Sequence, residues 1–66
     1  MNMKLKFKIA RMKKELTQAQ LAKKLGISRS TLVQIEKGNY DNVRIGLAKK
    51  IAKALDSTVI ELFFNE

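Results

Sequence analysis

The sequence predicts an all-α chain of five short helices packed as one small domain, and three observations carry that reading. Apolar residues recur at three- and four-residue spacing along most of the chain, the period of a helix with one buried face. Helix-capping residues stand at intervals, with Thr17, Ser28, Asn42 and the pair Ser57-Thr58 each preceding an apolar-periodic run. Proline is absent, and no repeat, low-complexity stretch or linker divides residues 1–66, so they are read as a single domain.

Each element follows from its residues. The first helix is expected from about Leu5 to Glu15. It carries two apolar sets, Phe7 with Ala10 and Leu5 with Ile9 and Met12, on nearly opposite faces, so the core takes only one of them. Thr17 caps the second helix, since its hydroxyl can accept a bond from an orphan first-turn N–H. Gln20, three residues on, completes a capping box. Leu21, Ala22 and Leu25 form the apolar stripe, and Gly26 ends the helix. Ser28 caps a third helix that runs to Gly38, and Asn39-Tyr40-Asp41-Asn42 is a turn-rich loop. Asn42 is expected to cap a fourth helix beginning at Val43. Leu47, Ala48, Ile51, Ala52 and Leu55 form its apolar face, and Lys49, Lys50 and Lys53 its solvated one. Gly46 costs that helix about 1 kcal/mol relative to Ala and is read as a point where another backbone comes close. Asp56-Ser57-Thr58 breaks the chain before a last helix, Val59 to Phe64.

Composition excludes several functions. A chain of 66 residues buries only about 60% of its unfolded surface and is marginal unless it associates. Cysteine and histidine are absent, which removes disulfides, the common metal sites and nucleophile–base pairs. The six acidic residues are scattered, so neither an enzyme nor a cofactor is expected. No apolar run approaches the ~20 residues of a membrane span. The alternating Lys and apolar residues of the N-terminus do not make a signal peptide, so the expected location is the cytoplasm. Fourteen basic residues against six acidic give a net charge of +8, which implies attraction to polyanions.

Two short helices joined by a glycine-containing turn, over about residues 17–37 of a basic chain, form the arrangement that sets a helix in the DNA major groove. At about 100° per residue, Leu32 and Ile35 share one side of the third helix, while Arg29, Val33, Lys37, Ser30 and Gln34 fan across an arc of about 140° on the other. That arc holds no acid. It carries a guanidinium suited to guanine, an amide suited to adenine, a short hydroxyl, and a branched apolar group that can touch a thymine methyl. A plainly solvated face is the competing reading. Val33 speaks against it, because a valine gains nothing from water.

The run Arg11-x4-Leu16-Thr17-Gln18-x2-Leu21-Ala22-x3-Gly26-Ile27-Ser28-x3-Leu32-x2-Ile35-Glu36-x-Gly38 resembles the Cro/phage-repressor (Xre-like) helix-turn-helix family. The later Ile51-Ala52-Lys53-Ala54-Leu55 and Glu61-Leu62-Phe63 resemble its fourth and fifth helices. The resemblance implies a compact five-helix, lambda-repressor-like DNA-binding domain acting as a small transcriptional regulator, generally a dimeric repressor on an inverted-repeat operator. The helix Ser28–Lys37 would lie in the groove of double-stranded DNA, with Arg29, Ser30, Val33 and Gln34 at base-reading positions. Gln18, Ser28, Lys37, Asn39, Tyr40 and Arg44 would contact the backbone. Arg11 and Glu36 match a pair that forms an internal ion pair in relatives, which excludes both from base contact.

Departures from the family pattern mark the remaining surfaces. Relatives often carry a proline before the fourth helix and a glycine where Asp56 stands, and the loop after Gly38 is about one residue longer here. Ile60 with Phe64, and Leu5 with Ile9 and Met12, are apolar positions beyond what the family core needs. A symmetric homodimer centred on Ile60 and Phe64 is expected, with Met1–Leu5 as a candidate added strand; packing of Phe64 on the first helix is the alternative. Two other functions stay open. One is an antitoxin-like regulator whose apolar face meets a protein partner, and the other is a non-specific polyanion binder.

Overall fold

The computed structural model describes residues 3–41 and 43–64. Five helices follow one another: α1 Met3–Lys13, α2 Gln18–Leu25, α3 Arg29–Glu36, α4 Ile45–Ala54 and α5 Ile60–Phe64. Among the described residues there is no strand, so Met3 to Leu5, expected as a candidate strand, are the first turn of α1. Met1 and Asn2 lie outside the described residues.

Local chemistry sets the ends of α2 and α3. Thr17 Oγ1 accepts from Gln20 N at 3.1 Å, and Gln20 Oε1 accepts from Thr17 N at 2.8 Å, a reciprocal capping box. Gly26, at φ 73°, closes α2 in the left-handed region that its missing Cβ makes accessible. Ser28 Oγ caps α3 by accepting from Thr31 N at 3.1 Å, and Gly38 turns the chain away at φ 95°.

Elsewhere the ends differ from expectation. α1 stops at Lys13, because Glu15 takes a left-handed φ of 57°. The fourth helix starts at Ile45 rather than Val43. Val43 N donates to Tyr40 O at 3.0 Å, holding Val43 in a turn, and Arg44 is the extended N-cap without a side-chain capping bond. Asn42, the expected cap, lies outside the described residues. Gly46 is exposed, and a Cβ there would meet nothing within 4 Å, so no backbone approaches it. Lys50 is more than a solvated lysine: its Nζ donates to Leu25 O at 3.0 Å, capping the C-terminus of α2 where a cation is favoured. The last helix winds with wide π-type turns rather than α-turns. Thr58 Oγ1 accepts from Glu61 N at 3.0 Å at its start.

α2 packs chiefly on α3 and also on α4, while α1 packs on α5 and α3. Phe7, Leu21, Leu32, Ile35, Ile51 and Leu62 are fully buried at the centre. The Phe63 ring meets Phe7 edge-on at 6.1 Å and Tyr40 at 5.0 Å, which ties the α3–α4 loop to α1 through α5. The core takes the Phe7–Ala10 set of α1 and leaves Ile9 and Met12 exposed; the Leu5 side chain lies outside the described ones.

Candidate nucleic-acid interface

α3 owes its orientation to both faces of its sequence. Leu32 and Ile35 are buried against α1 and α2, which turns Arg29, Ser30 and Gln34 outward. Val33 is half-buried on the same outer side. Ser30 and Gln34 line a depression of about 300 Å³ with Thr31, Ile35, Asn39 and Val43. Arg29, Ser30, Gln34 and Lys37 therefore share an exposed surface on which α3 contributes no acid.

The one acid on α3, Glu36, is turned inward and neutralised. Arg11 Nε donates to Glu36 Oε2 at 2.5 Å, and both side chains are about nine-tenths buried. Arg11 Nη1 also donates to Leu16 O at 2.7 Å, fixing the loop that leads into α2. Gln18 Nε2 donates to Glu36 Oε1 at 3.1 Å. One carboxylate thus joins α1, α2 and α3, and holds the first residue of α2 beside the last of α3. A carboxamide nitrogen has two protons, so Gln18 keeps one donor for a ligand at the N-terminus of α2.

The other expected contact residues fall into two groups. Ser28 is exposed, with Oγ 2.8 Å from Thr31 Oγ1 and 3.3 Å from Ser30 Oγ. Lys37 is the exposed C-cap of α3. Asn39 is exposed, and its Oδ1 accepts from Asp41 N at 3.3 Å. Arg44 is exposed at the N-terminus of α4, whose first N–H groups lack a side-chain cap; such an end favours anions. Tyr40 departs from this group. Its ring packs on Phe63, its hydroxyl is buried without a hydrogen-bond partner among the described residues, and burial raises its pKa. In this arrangement the hydroxyl is turned away from solvent and the ring packs on the core.

Ile60 and Phe64 are exposed by 69% and 71%, so Phe64 does not pack on α1. Ile45, which the sequence reading passed over, is 65% exposed and shares a groove of about 240 Å³ with Phe64, Tyr40, Val43, Ala48, Val59 and Phe63. Periodicity hid it: Ile45 stands three and seven residues before Ala48 and Ala52, at the edge of the apolar stripe, where a helical pattern reads it as core. Among the described residues no group of acidic side chains could hold a metal ion, and no helix is long and apolar enough to cross a membrane.

These elements define a helix-turn-helix domain, and the chain belongs to the helix-turn-helix family, whose model matches residues 7–62. It is similar to an uncharacterized HTH-type transcriptional regulator of Methanocaldococcus jannaschii, 48% identical over 97% of this chain and 96% of the relative. It is also similar to regulators of the same description from Archaeoglobus fulgidus, 40% identical over 97% of this chain and 90% of the relative, and Methanothermobacter thermautotrophicus, 45% identical over 74% and 70%. No solved structure matches the chain.

Proposed function

We propose that the protein is a sequence-specific double-stranded DNA-binding transcriptional regulator, acting as a repressor, with α3 in the major groove. The observation that carries the reading is the acid-free outer face of α3, whose only carboxylate is consumed by Arg11 and Gln18. Arg29, Ser30, Val33 and Gln34 face base edges. Gln18, Ser28, Lys37, Asn39 and Arg44 hold the phosphates, and Tyr40 supports the loop from inside. The curated relatives are described as transcriptional regulators, which supports a regulatory, non-enzymatic role in the cytoplasm.

The exposed Ile60 and Phe64 favour a symmetric homodimer. It would set two copies of α3 about 34–36 Å apart, one turn of DNA, on an inverted repeat. Their exposure, with that of Ile9 and Met12, also favours a second reading in which this surface meets a protein partner, as in an antitoxin.

Selection from a random duplex pool at near-physiological salt tests the proposal. Enrichment of an inverted repeat supports it, and each of Arg29→Ala and Gln34→Ala should then cost about 1–3 kcal/mol and relax specificity. Binding without enrichment rejects base readout in favour of charge alone. Light scattering tests the dimer: Ile60→Asp should give a monomer, and a wild type already monomeric at tens of micromolar rejects it.

A further inference from the structure

Arg29, Lys37 and Arg44 are the cationic members of the reading face, and Arg11 is committed to Glu36. The other ten basic residues, all lysines, have no place in that reading. Several of them are gathered by the fold. Lys24, Lys50 and Lys53 line one groove of about 280 Å³ between the C-terminal turn of α2 and α4, with Leu25 and Ala54 as its floor. Lys50 is anchored there by its bond to Leu25 O, so its charge stays at the groove. Lys14 adjoins this group through Asp56. Its ammonium binds the Asp56 carboxylate, and Lys24 lies near enough to Asp56 to help lower that group's pKa. Neither α2 nor α4 contains an acid, and Lys24, Lys50 and Lys53 line the groove without a carboxylate among them. The groove is built on α2 and α4 and shares no residue with the depression beside α3.

We propose that Lys24, Lys50 and Lys53, with Lys14 at their edge, form a second cationic surface that binds the phosphate backbone of a duplex segment other than the one read by α3, so that one molecule holds two stretches of DNA together. This rests on α3 being the reading helix. The lining chemistry selects the partner. Ammonium groups on flexible stems are point charges that meet phosphates in many geometries. The floor offers no anchor of the kind a protein interface needs, since Leu25 is buried and Ala54 is small. The same lack of an exposed apolar side chain in the groove disfavours insertion into a lipid surface.

The test is a bridging assay. Protein is saturated on an immobilised duplex from the selection experiment, and capture of a second, fluorescent duplex is measured against salt. Wild type should capture it, with a log–log salt slope of about −3.6 if all four lysines each meet a phosphate. K24Q/K53Q should bring the slope to about −1.8, and K24E/K53E should cut capture roughly tenfold or more, with affinity for the first duplex unchanged. Lys50 is left in place because it caps α2, and unchanged helicity of both exposed-site variants by circular dichroism shows that they fold. No capture by wild type, or capture unaffected by K24E/K53E, overturns the proposal. Capture lost in R29A/Q34A but not in K24E/K53E overturns it in favour of a partner protomer's α3. Displacement of the second duplex by poly-glutamate at equal charge overturns it in favour of an acidic protein. Failure of the reading itself looks different, because there the selection enriches nothing and R29A/Q34A leaves first-duplex affinity unchanged.

Discussion

The Arg11 guanidinium and the Glu36 carboxylate meet at 2.5 Å in a seam where α1 and α3 touch, with only 10% and 8% of their side chains exposed. Removing one partner of such a pair strands a buried charge and costs about 3–5 kcal/mol, whereas replacing both with apolar groups of similar volume costs far less. Arg11→Met and Glu36→Met should therefore each destabilise strongly, with the double variant closer to wild type than either. Chemical denaturation of the three variants measures this, and additive losses would deny the coupling. Glu36→Met should also release Gln18 and loosen α2 from α3, weakening DNA binding beyond the effect on stability.

Tyr40 invites a different substitution. Its buried hydroxyl has no hydrogen-bond partner among the described residues, and an unsatisfied buried polar group costs about 1–3 kcal/mol. Tyr40→Phe keeps the ring contact with Phe63 and should leave thermal stability unchanged or raise it by about 1 kcal/mol. DNA affinity, read by fluorescence anisotropy, should not change. A marked fall in affinity would mean that the hydroxyl swings out to a phosphate on binding.

The left-handed backbone at Glu15, φ 57°, costs a side chain with a Cβ about 1–2 kcal/mol. Glu15 is exposed, so Glu15→Gly should remove strain without removing packing. A net gain of about 1 kcal/mol would raise Tm by about 4–8 °C in a domain of this size. Lys13→Gly, inside the last turn of α1, is the control and should lower Tm.

What the sequence made legible divides along physical lines. Caps such as Thr17–Gln20 and Ser28–Thr31 are bonds between residues three apart, and the stops at Gly26 and Gly38 depend on one residue's backbone freedom, so all could be read from the chain. The periodic faces of α2 and α3 likewise placed Leu21, Leu25, Leu32 and Ile35 in the core. Features set by distant neighbours could not be read this way. Tyr40 turns inward because Phe63 offers an edge, Lys50 finds Leu25 O across 25 positions, and α4 starts late because Val43 is drawn into a turn. Nothing in a glutamate announces a left-handed residue, so the sequence extends α1 to Glu15 while the backbone ends it at Lys13.

Asp56 carries a pH dependence with a definite sign. Its hydrogen bond from Lys14 and the charge of that ammonium hold its carboxyl below the usual carboxylate range. A group whose pKa is depressed in the folded state contributes stability that is present above its unfolded value and is lost as pH falls through the folded one. The Lys14–Asp56 contribution should thus be complete at neutral pH and vanish only in strong acid. Both groups are solvent-accessible, so the contribution is small. NMR titration should place the Asp56 midpoint below those of ordinary surface carboxylates, and Lys14→Gln should move it upward. An unchanged midpoint in Lys14→Gln would show that the pair does not persist in solution.

Arg44 sets stability against binding at one position. It is the N-cap of α4 but makes no side-chain capping bond, so the helix starts with orphan N–H groups and an exposed cation together. A serine there can accept from the first turn and should stabilise the domain by about 0.5–1 kcal/mol. The same change removes a charge from the proposed phosphate-facing surface. It should weaken binding about equally for all sequences and reduce the salt slope by about 0.9. Arg44→Ser is therefore expected to melt higher and bind less well. Arg44→Gln, which removes the charge without adding a short hydroxyl cap, should lose the affinity without the gain in stability. If Arg44→Ser binds as tightly as wild type with an unchanged salt slope, Arg44 does not touch a phosphate, and the DNA contact surface ends at Asn39.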